Sequence, residues 1–179
     1  MTYQTFPLGD SDGTMHDSGC SYPKMDTTSF AKSKSFYIPH VAEGINAAAR
    51  NEFACLSNGT NNVLFDRAAW IHGIGFTADD VKVFSRSTTK LIWSPRTNVS
   101  LYSDTNRITL FHKAGAAIAL GTDWVPSGSI NFVRSFECVR NLNEHSFGNY
   151  LTDEDIWRMA TTNGALATGT DKEIGMLKA

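Results

Sequence analysis

At 179 residues the chain is long enough for one hydrophobic core, but short of the roughly 250 residues of a complete (βα)8 barrel. With 41% hydrophobic and 19% charged residues it reads as a folded globular chain rather than a disordered one. A formal net charge of -2 with scattered Lys and Arg argues against a nucleic-acid or acidic-lipid partner, and no apolar run approaches the ~18 residues of a membrane span.

The N-terminus has no charged region followed by an apolar one, so no leader is expected and the cytoplasm is the default compartment. Cys20, Cys55 and Cys138 are odd in number and widely spaced, which argues against a disulfide framework and against a CxxC metal site. Residues 1–34, rich in Ser, Asp, Thr, Gly and Lys, form an irregular segment with one short strand at Tyr3–Leu8. Residues 35–179 form the folded domain.

From Ser35 an apolar run followed by a helical pattern repeats four times. Ser35–Val41 precedes Glu43–Leu56, where Ile45, Ala48, Ala49, Phe53 and Leu56 recur at helical spacing. Ala68–Ile74 precedes Thr77-Ala-Asp-Asp80, a hydroxyl with an acid three residues on, which reads as a capped helix start. Lys90–Ser94 precedes a helix predicted over Leu101–Lys113. Ala116–Thr122, small and apolar as a strand buried on both faces should be, precedes a helix over Ile130–Asn143. Thr152-Asp-Glu-Asp155 caps a last helix through Ile156, Trp157, Met159 and Ala160. Such alternation predicts an α/β fold of parallel βα units, either an open doubly wound sheet or half of a closed barrel.

The strand ends carry the polar residues. The runs close on His40, His72, Ser94-Pro95 and Asp123, at the C-terminal ends where α/β enzymes place their chemistry. A lone His there is often a hydrogen-bonded core residue and a lone Asp a helix cap. Three in one register on successive units point instead to a shared site. Two imidazoles and a carboxylate suit zinc, iron or manganese, and binding a cation would relieve the cost of burying them.

His40-Val41-Ala42-Glu43, Ile71-His72-Gly73, Trp93-Ser94-Pro95-Arg96-Thr97-Asn98 and Leu120-Gly121-Thr122-Asp123-Trp124, with the closing stretch Met159–Ala165 and Ile174-Gly175, resemble strands five to eight of the amidohydrolase superfamily. The branch is that of cytosine deaminase, guanine deaminase and the triazine chlorohydrolases. The resemblance implies about half of a (βα)8 TIM-like barrel and a hydrolase of non-peptide C–N bonds that uses a metal-activated water. It implies His40 as a metal ligand, Glu43 as a proton shuttle to a ring nitrogen, and His72 as a contact to the metal-bound water or developing oxyanion. Asp123 would touch the metal and take a proton from the water. Ser94, Pro95 and Asn98 would line the pocket. Zinc is the expected metal, with iron or manganese as alternatives, and a cyclic amidine or similar small molecule the expected substrate.

That branch also carries a His-x-His pair on strand one, and no His-x-His occurs here. Strands one to three and the accompanying sandwich domain have no counterpart either, so the expectation is a truncated chain. A homodimer or a complementing chain would then cover the open barrel edges. Two other functions fit the residues: a catalytically inactive fragment, and a non-catalytic α/β binding module that seats an anion in the loop Gly121–Ser129.

Overall fold

The structure, a computed structural model, describes residues 1–177. Five strands, β1 (Thr2–Gln4), β2 (Tyr37–Val41), β3 (Ala69–His72), β4 (Lys90–Trp93) and β5 (Ile118–Leu120), lie side by side in chain order, all parallel. The helices are α1 (Thr28–Lys32), α2 (Ala47–Leu56), α3 (Ala78–Arg86), α4 (Pro95–Tyr102), α5 (Ile108–Lys113), α6 (Phe132–His145), α7 (Asp153–Ala160) and α8 (Thr162–Thr168). Parallel strands in sequential order with helical crossovers make an arc of a (βα)8 barrel. The arc has five strands, one more than the four read as strands five to eight, because Thr2–Gln4 pairs with Tyr37–Pro39 along the edge of β2. No helix among the described residues is long and apolar enough to cross a membrane.

Period-two alternation divides the strands between two layers. Tyr37, Trp70, Leu91, Trp93, Ile118 and Leu120 face the helices and share a core with Phe53, Phe84 and Phe111. Trp70 meets Phe53, Phe76 and Phe84 edge-on at ring distances of 5.8, 6.0 and 5.8 Å. Each fully buried aromatic here contributes on the order of 2 kcal/mol from area alone. Ile38, Ala69, Ile71 and Ala119 face the other way and pack with Ala167 of α8.

Both expected capping boxes form: Thr77 with Asp80 opens α3, and Thr152 with Asp155 opens α7. The single helix predicted over Leu101–Lys113 is instead two. Pro95 starts α4 early, at a position where its missing N–H has no partner to lose. Ser103 then ends that helix in the left-handed region, at φ 53. The chain is then irregular until α5, with Asn106 buried in the core.

The cysteine reading is also corrected. Cys20 and Cys55 form a disulfide, and Cys138 is free. Spacing could not show this, because the pair joins a loop to a helix that passes beneath it. The bond fastens the segment between β1 and α1 to α2. Asn51 of the same helix supports it, donating to the carbonyls of His16 and Gly19 at 3.0 and 2.6 Å.

Candidate active site

The C-terminal ends of β2, β3 and β5 bring His40, Glu43, His72 and Asp123 together. His72 is the centre. Its Nε2 lies 3.3 Å from the Glu43 carboxylate and 3.8 Å from that of Asp123, and its ring centroid is 5.1 Å from that of His40. Ligand atoms of His40, Glu43 and His72 all fall within 4.8 Å of one another. Asp123 joins through His72.

Local backbone aims these groups. His72 has φ 72 and Asp123 has φ 57, both in the left-handed region that non-glycine residues adopt at a cost of ~1–3 kcal/mol. Asp123 is steadied by the Trp124 N–H, which donates to its Oδ1 at 2.7 Å, leaving Oδ2 for His72. The loop behind it is tied to α4, where Arg96 Nε donates to the Gly128 carbonyl at 2.7 Å.

Hydrogen bonds also set the tautomers. His40 Nδ1 lies 3.3 Å from the Gln4 carbonyl, which can only accept, so Nδ1 carries the proton. Its Nε2 then accepts from the Tyr3 hydroxyl at 3.1 Å. His72 Nδ1 lies 3.4 Å from Asn98 Oδ1, and Asn98 Nδ2 in turn donates to Asn106 Oδ1 at 2.5 Å. Asn106 Nδ2 closes the ring by donating to the His72 carbonyl. Both imidazoles thus give Nδ1–H to an oxygen. Nε2 of His72 faces the two carboxylates, whereas Nε2 of His40 is engaged by the Tyr3 hydroxyl, which a bound metal would have to displace.

Electrostatics follow from burial. Burial and then the charge of Asp123 push the Glu43 carboxyl up to about 7, so it holds or releases a proton near neutrality. Burial lowers the basicity of His72, and the nearby His40 adds to this. His40 is lowered too, again mainly by burial. Neutral imidazoles beside two carboxyl groups form a donor set that fits zinc, iron or manganese.

Of the weaker pocket expectations, Asn98 is fully buried and holds His72. Ser94 is buried at the end of β4 against Gly121, outside the four-residue group. His16 and His112 have partners of their own, Tyr22 and Tyr150. Sequence reasoning missed Tyr3, Asn106 and Glu52. Glu52 accepts the Ala42 N–H at 2.6 Å, and no motif marks it.

A family model described as Amidohydrolase family matches residues 30–179. Guanine deaminase from Homo sapiens is 28% identical over 162 residues, which cover 81% of this chain and 35% of that protein. 5-Methylthioadenosine/S-adenosylhomocysteine deaminase from Pelotomaculum thermopropionicum is 31% identical over 110 residues, 60% of this chain and 25% of that protein. Among solved structures, an adenosine deaminase from Xanthomonas campestris with bound zinc superposes with a TM-score of 0.69 at 20% identity, covering 78% of this chain and 34% of that one. Atrazine chlorohydrolase from Arthrobacter aurescens, complexed with zinc, gives 0.69 at 16% identity, covering 88% and 38%. At these identities the superpositions show the fold. The chain spans about a third of the length of the guanine deaminases it matches.

Proposed function

The chain belongs to the amidohydrolase family, and from that premise we propose that its strand-end cluster is the catalytic half-site of a hydrolase that cleaves a non-peptide C–N bond in a small, cyclic amidine-like substrate. The carrying observation is the convergence of His40, Glu43, His72 and Asp123, with ligand atoms of the first three within 4.8 Å of one another. His40 and Asp123 would hold a divalent metal, zinc first. Glu43 and His72 stand close enough to contribute, since their ligand atoms share the 4.8 Å group with His40. When bound, such an ion lowers the pKa of a water towards ~7.

The side chains divide the remaining work. Asp123 Oδ2, free of backbone bonds, accepts a proton from the attacking water. Glu43, poised near neutrality, carries a proton to the ring nitrogen of the substrate. His72 keeps its protonated nitrogen on Asn98, and its other nitrogen orients the two carboxyl groups. Deamination and dechlorination place the same demands on these four groups. Relatives named as deaminases favour nitrogen as the leaving atom.

The test is metal content by plasma mass spectrometry on the purified, monodisperse chain, beside His40→Ala and Asp123→Ala. About one zinc, iron or manganese per chain, lost in both variants, is the expected result. Ammonia release from cyclic amidines is then assayed on the loaded protein. A chain that takes up no metal under replete conditions would overturn the reading that it acts alone.

A further inference from the structure

Glu43 reaches His72 only because the chain turns sharply after β2. The turn is made at Ala42, which has φ 55 and no solvent exposure. An alanine does not choose that conformation unaided, since its Cβ crowds the backbone there. Two contacts hold it. Gly75 N–H, from the loop after β3, donates to the Ala42 carbonyl at 3.1 Å. On the other side, the Ala42 N–H donates to Glu52 Oε2 at 2.6 Å.

Glu52 lies on the second turn of α2, half-buried, and its carboxyl meets the backbone of the neighbouring turn. A buried carboxyl on a helix is costly unless its oxygens are used. Here a main-chain amide uses one of them, and that amide belongs to the residue immediately before Glu43.

We propose that Glu52 is a positioning residue of the site: by accepting the Ala42 amide it locks the left-handed turn that directs Glu43 towards His72. The role rests on the reading of Glu43 as a working group of the site, but the lock itself can be observed without catalysis. It depends on reach rather than charge. An acceptor oxygen at the end of a side chain as long as glutamate suffices, so glutamine can replace it and aspartate, one methylene shorter, cannot.

Wild type, Glu52→Gln, Glu52→Asp and Glu52→Leu are compared by NMR in the metal-free full chain. The readouts are the Ala42 amide shifts and φ-dependent couplings, and the proton–proton contacts between the Glu43 side chain and the His72 ring. The expected result is that Gln preserves the Ala42 signature. Asp and Leu are expected to lose it together with the contact between the Glu43 side chain and the His72 ring. If Leu does not fold, the Gln and Asp pair decides alone. An Asp variant that keeps the Ala42 signature while Gln loses it would overturn the proposal in favour of a charge effect. Unchanged Ala42 and Glu43 signals in all variants, with only the melting temperature lowered, would overturn it in favour of a packing role. Zinc uptake by the wild type, measured in parallel, tests the reading of the whole site separately from the lock.

Discussion

Trp70 and His72 lie two residues apart on β3, yet they serve opposite layers of the protein. Trp70 is buried among Phe53, Phe76 and Phe84 on the helix side, whereas His72 turns into the cluster with Glu43 and Asp123. Strict alternation would place both on one face. The left-handed backbone at His72, φ 72, breaks the alternation at the last residue of the strand. Asparagine tolerates this region better than β-branched residues do. Both variants lose the imidazole contact to Asn98, so His72→Asn is expected to be more stable than His72→Val by about 1–2 kcal/mol, the backbone strain alone. Urea unfolding of the two variants checks this. Equal losses would show that the backbone at residue 72 carries no strain that a side chain can sense.

The ring of His72, Asn98 and Asn106 fixes which imidazole nitrogen is protonated. Asn98→Leu removes the acceptor for Nδ1–H and leaves Asn106 without its Asn98 partner. Because these atoms are buried, the cost is expected to be about 1–3 kcal/mol. The Nδ1-protonated form of His72 should also lose its dominance, which long-range proton–nitrogen NMR reads directly. A variant that keeps this tautomer would show that Glu43 and Asp123 select it, without help from Asn98.

Much of this was legible in the sequence because it rests on local pattern. The strand runs, the two threonine–aspartate capping boxes and the polar residues closing each run are all found where periodicity puts them. What was illegible depends on partners distant in the chain. Asn106 reads as a loop residue, but its amide is spent on the His72 carbonyl. Glu52 reads as one more polar helix position, and only the approach of α2 to the end of β2 gives its carboxyl a use. The first strand was expected at Tyr3–Leu8 and lies at Thr2–Gln4, because pairing with β2 and not local propensity sets its register. Cys20 and Cys55 are 35 residues apart, and no spacing rule links a loop to a helix that happens to cross it.

Glu52 also predicts a pH dependence of stability. Burial pushes its carboxyl up to about 7, with the charges of Asp10 and Glu43 adding to this. A folded-state pKa above the unfolded value of ~4.3 means that the folded chain binds this proton more tightly. Its contribution is therefore full below about pH 4 and is lost as pH rises towards 7. Glu52→Gln, which does not titrate, should match the wild type near pH 4.5 once the difference is normalised there. It should be more stable by on the order of 1–3 kcal/mol at pH 8. Denaturant unfolding of both proteins across this range measures the difference. A gap independent of pH would mean that the Glu52 carboxyl titrates alike in the folded and unfolded chain.

The Cys20–Cys55 disulfide should matter for stability and little for the site. It closes a loop of 35 residues, and the chain-entropy argument gives such a cross-link about 3–4 kcal/mol. Yet β1, which carries Tyr3 and Gln4 to His40, is held independently by its pairing with β2. Gln4 is anchored again through Asp26, which it meets at 3.0 Å and which also accepts the Tyr37 hydroxyl at 2.6 Å. A reducing agent, or Cys55→Ser, is expected to lower the guanidinium midpoint of unfolding while leaving the His40 and His72 ring signals in place. Loss of those ring signals at concentrations where the chain is still folded would show that the pairing of β1 depends on the bond. The N-terminal loop would then be part of what holds the site together.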